Sequence, residues 1–320
     1  MTILITGAAG FIGFHVTKRL LQQGYDVIGI DNFDPYYSVE LKKDRLNQLQ
    51  HPHFMFEKVD IEQEQEVLDI FAKYKPQKVL HLAGQAGVRY SLENPKAYIS
   101  ANISGFFHIL NACKSSQIEH FLYASSSSIY GESEKQPFSI QDRVDQPVSL
   151  YAATKKSNEL MAYSYSHVYG LRTTGLRFFT VYGPWGRPDM AYYSFTEKII
   201  GGKPISLYNH GDMRRDFTYI DDVVQAVVAL LSKVYKEEDA PYSIFNIGSH
   251  SPEKLGDFVS LLEDLTGKEA HIEYKEMQPG DVKETYADIT ELQAEIDFAP
   301  STSLLEGLTS FVKWYKMYHS

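Results

Sequence analysis

The feature that most restricts how this chain can fold is an apolar run that breaks into glycines and then opens a helix. Thr2–Thr6 reads as a buried strand, and Thr6-Gly7-Ala8-Ala9-Gly10-Phe11-Ile12-Gly13 follows it directly, with a helical pattern over residues 10–23. Each glycine has a mechanical reason. Gly7 permits a tight turn, Gly10 lets the backbone approach a phosphate, and Gly13 lets the helix pack closely on the strand. The N–H groups and positive dipole end of the helix then face an anion. Further apolar runs at residues 26–31, 54–58, 78–82, 120–125 and 172–178 alternate with helical patterns at 63–74, 97–116 and 150–169. That alternation predicts an α/β fold with a doubly wound, mostly parallel sheet.

After about residue 178 the pattern loosens, with Gly, Pro and aromatic residues up to Arg215. A helix is expected over 221–234 and a strand over 243–247, followed by two or three helices, a strand and a loop. The expected organisation is a nucleotide-binding domain over 1–178, with 216–247 returning to it. A smaller, interleaved C-terminal substrate domain would take 179–215 and 248–320.

The 320 residues suffice for a large core. A net charge of −10 argues against a nucleic-acid partner, which needs a basic surface. A few local arginines and helix N-termini can still hold an anionic ligand. The single cysteine, Cys113, excludes an intrachain disulfide and fits a reducing compartment. Met1–Gly7 lacks a basic leader, and no run is long enough to span a bilayer. The expectation is a cytoplasmic protein with no membrane anchor and no bound metal.

An acidic residue, Asp31, stands at the end of the second strand, where it suits the adenosine ribose hydroxyls and repels the extra phosphate of NADP. After the third strand, Asp60-Ile61 suits either the adenine or, through Asp60, the cap of the next helix. Tyr151 and Lys155 lie four apart, on one face of a helix. A phenol has a pKa near 10, and an adjacent ammonium favours its anion. Upstream, Phe121–Gly131 runs from a strand into a serine-rich turn. Its Ser126 would lie beyond a strand's carboxyl end, where open α/β sheets bind ligands.

Together, Thr6–Gly13, Asp31, Ser125–Gly131 and Tyr151–Lys155 resemble the extended short-chain dehydrogenase/reductase family, in order and spacing over the whole chain. The resemblance implies a Rossmann-type domain holding NAD, a catalytic set of Ser126, Tyr151 and Lys155, and an active-site asparagine at Asn102. It places Gly7, Ala9, Gly10, Phe11, Ile12, Gly13, Asp31, Asn32, Asp60, Ile61, Leu82, Ala83, Gly84 and Phe178 about the cofactor. It also implies a homodimer paired through two helices of each subunit.

Within that family, Arg214–Val223 is similar to the nucleotide-sugar branch, where Arg215 would clamp the diphosphate. Gln278–Val282 resembles a loop that meets the uridine ribose through Asp281. Galactose epimerases usually carry an arginine where Gln278 stands. Arg177–Ala191 and His81–Ser91 resemble the UDP-glucuronate 4-epimerases. A uronate carboxylate needs a cation or several donors; Arg187 with Thr180 is the first choice and Arg89 the second, with Ser127 and Ser128 lining the sugar pocket. The implied reaction is NAD-dependent 4-epimerisation of UDP-glucuronate to UDP-galacturonate through a 4-keto sugar. Such a β-keto acid can lose carbon dioxide, so Arg187 and Thr180 are also expected to hold the carboxylate against departure. A UDP-glucose/UDP-galactose epimerase is the runner-up, ahead of a UDP-glucuronate decarboxylase and a non-catalytic NAD sensor. A dehydratase is disfavoured, because Ser127 and Ser128 stand where it usually has an Asp-Glu pair.

Overall fold

The computed structural model describes residues 1–236, 238–277 and 282–320. The first part runs β1 (Thr2–Thr6), α1 (Phe11–Gln22), β2 (Asp26–Asp31), α2 (Val39–Asn47), β3 (Phe54–Lys58), α3 (Glu64–Tyr74) and β4 (Lys78–His81). Then come α4 (Tyr90–Glu93), α5 (Pro95–Tyr98), α6 (Phe106–Ser115), β5 (His120–Ser126), α7 (Leu150–Tyr169) and β6 (Thr173–Phe178). The second part holds β7 (Thr180–Tyr182), α8 (Ala191–Ile200), β8 (Ile205–Tyr208), β9 (Arg214–Tyr219), α9 (Ile220–Ser232) and β10 (Tyr242–Ile247). It closes with β11 (Pro252–Lys254), α10 (Leu255–Thr266), β12 (Ile272–Lys275), α11 (Thr290–Ile296) and α12 (Leu304–Tyr318).

Seven strands form one sheet in the order β10-β6-β5-β4-β1-β2-β3. β1 pairs in parallel with β2 and with β4, so the winding direction reverses between β1 and β4. That reversal leaves a crevice at the carboxyl ends of these strands. β1 is buried on both faces and reads as a continuous apolar run for that reason. α1 buries two adjacent rows, Phe11-Phe14-Thr17-Leu21 and Gly13-Val16-Leu20, with the three- and four-residue spacing of one helical face. Leu4, Val79, Phe106, Ile109, Leu110 and Phe121 lie in one buried cluster beneath the sheet's helices.

The chain divides into two compact units, Met1–Gly131 with Arg143–Phe178 and Val224–Phe245, and Glu132–Asp142 with Phe179–Val223 and Asn246–Ser320. The second unit has two small sheets, β11-β9-β7 and β12-β8. Phe217 stacks on Phe258 at 4.7 Å between ring centroids, and Tyr192 meets Phe311 edge-on at 4.9 Å.

Several expectations need correction. The helix expected over 97–116 is broken by π-type turns at Ile99–Gly105. The sequence pattern does not locate α2, α8 or the short strands β7, β8 and β9, and two strands, β11 and β12, stand where one is expected after β10. The three- and four-residue strands among these carry too little periodicity to be seen, and their pairing comes from distant chain. Asp60 does not cap α3: the cap is Gln63, and Asp60 instead accepts the Glu62 N–H at 2.9 Å.

Candidate active site

The glycine turn is built as a close approach of three backbone segments. Gly7 has φ +72°, and a Cβ there would sit 2.8 Å from the Ala83 nitrogen. A Cβ on Gly13 would sit 2.1 Å from the Gly7 carbonyl oxygen, so only hydrogen fits. The cap of α1 is Gly10, with no side-chain hydrogen bond and no acidic residue in the first turn. The leading N–H groups are thus not taken by a side-chain cap, and this cradle fits a dinucleotide's pyrophosphate. Phe11 is buried and Ile12 half-buried along the same turn.

Asp31 lies buried at the end of β2, where its carboxylate accepts from the Ala9 N–H at 3.2 Å and the Phe33 N–H at 2.9 Å. Burial raises its pKa, against the opposing pull of those donors and of Lys42 and Arg45. Asn32 donates to Asp60 at 3.1 Å, which ties the two strand ends, while Ile61 is buried. Leu82 and Ala83 donate to the Thr6 carbonyl and hydroxyl, at 3.1 and 3.0 Å, so β4 delivers Leu82-Ala83-Gly84 beside the turn. Phe178 ends β6, buried. Sequence reading missed Arg45, which is fully buried and donates to the Ala9 carbonyl at 2.9 Å and the Tyr37 hydroxyl at 2.7 Å. Nothing in its local pattern marks it as interior.

α7 starts at Ser149, whose hydroxyl accepts from the Ala152 N–H, and ends at the left-handed Gly170. Its buried face is unusual in being polar: Thr154, Lys155, Asn158 and Glu159 all lie inside. Lys155 donates to the Ala124 carbonyl at 3.0 Å and sits 6.0 Å from the centre of the Tyr151 ring. Burial pulls the Lys155 pKa down to about 8. Ser126 ends β5, and its hydroxyl donates to Ser128 and accepts the Ser128 N–H, both at 3.2 Å. Ser127 and Ser128 begin the half-buried turn that follows.

The break at Ile99–Gly105 now has a cause. Asn102 Oδ1 accepts the Gln85 N–H at 2.8 Å, and its amide donates to the Gln85 carbonyl and the Thr154 hydroxyl, both at 3.0 Å. Its own carbonyl accepts from Asn158 at 2.6 Å. All of these bonds fall within the π-type segment, whose ladder differs from that of a regular α-helix. Asn102 therefore couples the loop after β4 to α7.

Behind the serine turn lies a buried pair that sequence reading missed. Arg177 forks onto Glu159 at 2.9 and 3.0 Å and donates to the Tyr130 hydroxyl at 2.9 Å. The Ser125 hydroxyl donates to the same carboxylate at 2.7 Å. Glu159 stands one helical turn after Lys155, a spacing that could have signalled a third inward residue.

The second unit carries the other candidates. Thr180 opens β7, half-buried. Arg215, on β9, donates to the Arg214 and Lys283 carbonyls at 2.8 and 3.1 Å. Arg187 forks onto Asp189, with Nε to Oδ1 at 3.0 Å and Nη2 to Oδ2. Arg89, in the first unit, is exposed just before α4. Gln278 and Asp281 lie outside the described residues. Among the described residues, no three or more His, Cys, Asp or Glu are arranged to hold a metal ion, and no helix is long and apolar enough to cross a membrane.

Residues 3–248 match the model of the NAD dependent epimerase/dehydratase family. Protein CapI of Staphylococcus aureus is 51% identical over 332 residues, covering 100% of this chain and 99% of that protein. A probable UDP-glucuronate 4-epimerase of Rhizobium meliloti (strain 1021) is 47% identical over 330 residues, covering 98% and 97%. Among solved structures, UDP-glucuronic acid 4-epimerase from Bacillus cereus, in complex with UDP-glucuronic acid and NAD, superposes with a TM-score of 0.93. It is 34% identical, covering 99% of this chain and 100% of that one.

Proposed function

The chain belongs to the NAD dependent epimerase/dehydratase family, and on that premise we propose that it inverts position 4 of UDP-glucuronate, interconverting it with UDP-galacturonate. Relatives named for this reaction match along nearly their whole length. The observation that carries the reading is the buried polar face of α7, which sets Lys155 beside Tyr151 and below the Ala124 carbonyl.

When bound, NAD supplies the two-electron oxidant and returns the same electrons, so none is consumed. Gly7–Gly13 hold its pyrophosphate and Asp31 its adenosine ribose. The Lys155 ammonium stabilises the Tyr151 phenolate, which removes the proton from the position-4 hydroxyl. Ser126 donates a hydrogen bond to the same oxygen. After the 4-keto sugar turns over, Tyr151 returns the proton to that oxygen. Arg215 holds the diphosphate, and Arg187 with Thr180 holds the carboxylate, restraining its loss as carbon dioxide.

The test is product analysis with UDP-glucuronate and UDP-glucose side by side. UDP-galacturonate is expected, and Tyr151→Phe should slow its formation by roughly 10²–10⁴-fold, the usual weight of a proton-transfer group. UDP-galactose as the sole product would install the neutral-sugar reading. Undiminished turnover by Tyr151→Phe would refute the mechanism.

A second copy of the chain is the proposed partner. Leu160 and Tyr163 on α7, with Ile99 and Phe107 on the preceding helical segment, are large apolar residues left exposed in the same unit. Exposed apolar residues on two helical segments suit a self-complementary contact.

A further inference from the structure

The turn that carries Arg187 is held firmly at the backbone. Trp185, at φ +61°, packs its ring 5.3 Å from Trp314 and 5.2 Å from Tyr318, on α12. The Arg187 N–H donates to the Tyr192 hydroxyl at 3.1 Å, and the Met190 N–H donates to the Arg187 carbonyl at 3.2 Å. On this fixed base the guanidinium makes a two-bond fork to Asp189, two residues on. The two side chains are 23% and 24% exposed, so water reaches the pair.

We infer that Asp189 is a built-in stand-in for the substrate's carboxylate, occupying Arg187 and yielding it when UDP-glucuronate binds. This rests on the reading that Arg187 receives the uronate. Planar carboxylates present the same two acceptors to a guanidinium, so Asp189 and a uronate compete for one fork. A partly solvated pair is weakly held and can exchange. Because Asp189 is tethered two residues away, it is always at high local concentration, and Arg187 is competent for substrate only part of the time. Apparent affinity then falls by that competent fraction. A neutral sugar asks for no exchange, since the pair can stay closed without leaving a charge unmatched. Asp189 is therefore a specificity-determining residue: it moderates the preference for an acidic sugar, and it keeps the grip on a carboxylate loose enough for the keto sugar to turn.

The experiment is titration calorimetry and steady-state kinetics on NAD-loaded Asp189→Asn, with UDP-glucuronate and UDP-glucose. For UDP-glucuronate, Kd and KM should fall roughly five- to tenfold, as expected if Arg187 is competent about 10–20% of the time. For UDP-glucose, Kd should stay within a factor of two. Asp189→Ser, which also removes the charge, should reproduce the effect and replaces Asn if that variant folds poorly. A rise in the UDP-glucuronate constants would make Asp189 a positioning residue and overturn the proposal. An equal change for both sugars would make it structural and overturn it as well. Wild-type protein that neither binds nor turns over UDP-glucuronate would instead refute the function proposed above.

Discussion

Glu159→Gln tests how α7 is held. The substitution keeps the side chain's shape and removes its charge inside a site where the Glu159 and Arg177 side chains are 1% and 3% exposed. The carboxylate now receives two bonds from Arg177 and one from Ser125. An amide offers one acceptor oxygen and turns a donor toward a guanidinium that stays charged. Removing one partner of a buried pair costs about 3–5 kcal/mol, because the remaining charge is left in a dry interior. At roughly 2–4 °C per kcal/mol for a chain of this order of size, the midpoint should drop by about 6–20 °C. The assay is a thermal melt of NAD-free protein followed by circular dichroism, repeated on Glu159→Leu combined with Arg177→Met. That double variant removes both charges and should recover most of the loss, since apolar replacements of a buried pair are often neutral. A single variant within 2 °C of wild type, on the scale just given, would refute the reasoning. So would a double variant no better than the single.

Two more outcomes concern other residues of α7. Lys155 ordinarily titrates at 10.5 and is held near 8 by burial, so across that window the unfolded chain binds a proton the native one has lost. Native stability measured relative to Lys155→Met should therefore climb from pH 8 to 10.5 by about 3 kcal/mol, while turnover declines as the phenolate loses its cation; a difference curve flat with pH would refute the assignment. Sedimentation at micromolar concentration should show a dimer, and Leu160→Glu with Tyr163→Glu should release monomers; a monomeric wild type would overturn the proposed pairing.

The parts of this protein legible in its sequence are those written in consecutive residues. The first strand, its glycine turn and α1 follow from apolar periodicity and from φ angles and contacts that only glycine tolerates, all within 22 residues of the start. Tyr151 and Lys155 could be put on one helical face because an α-helix repeats every 3.6 residues whatever surrounds it. Asp31 could be placed because a strand's end is a position along the chain.

Partners far apart in the chain were decided only by the tertiary structure. Arg45 looks like a surface arginine of a helix until the fold brings the Ala9 carbonyl, 36 residues away, to its guanidinium. The break around Asn102 depends on Gln85, Thr154 and Asn158, which meet there only once β4 and α7 are packed. Glu159 has a local spacing signal but no local partner; Arg177 arrives on β6. Even Arg187 and Asp189, with only Pro188 between them, could not be paired in advance, because a two-residue separation lets side chains point together or apart. The folded turn brings them together. Turn chemistry and periodicity act over a few bonds and survive in the sequence, whereas desolvation and hydrogen-bond pairing act through space and exist only when the chain has closed on itself.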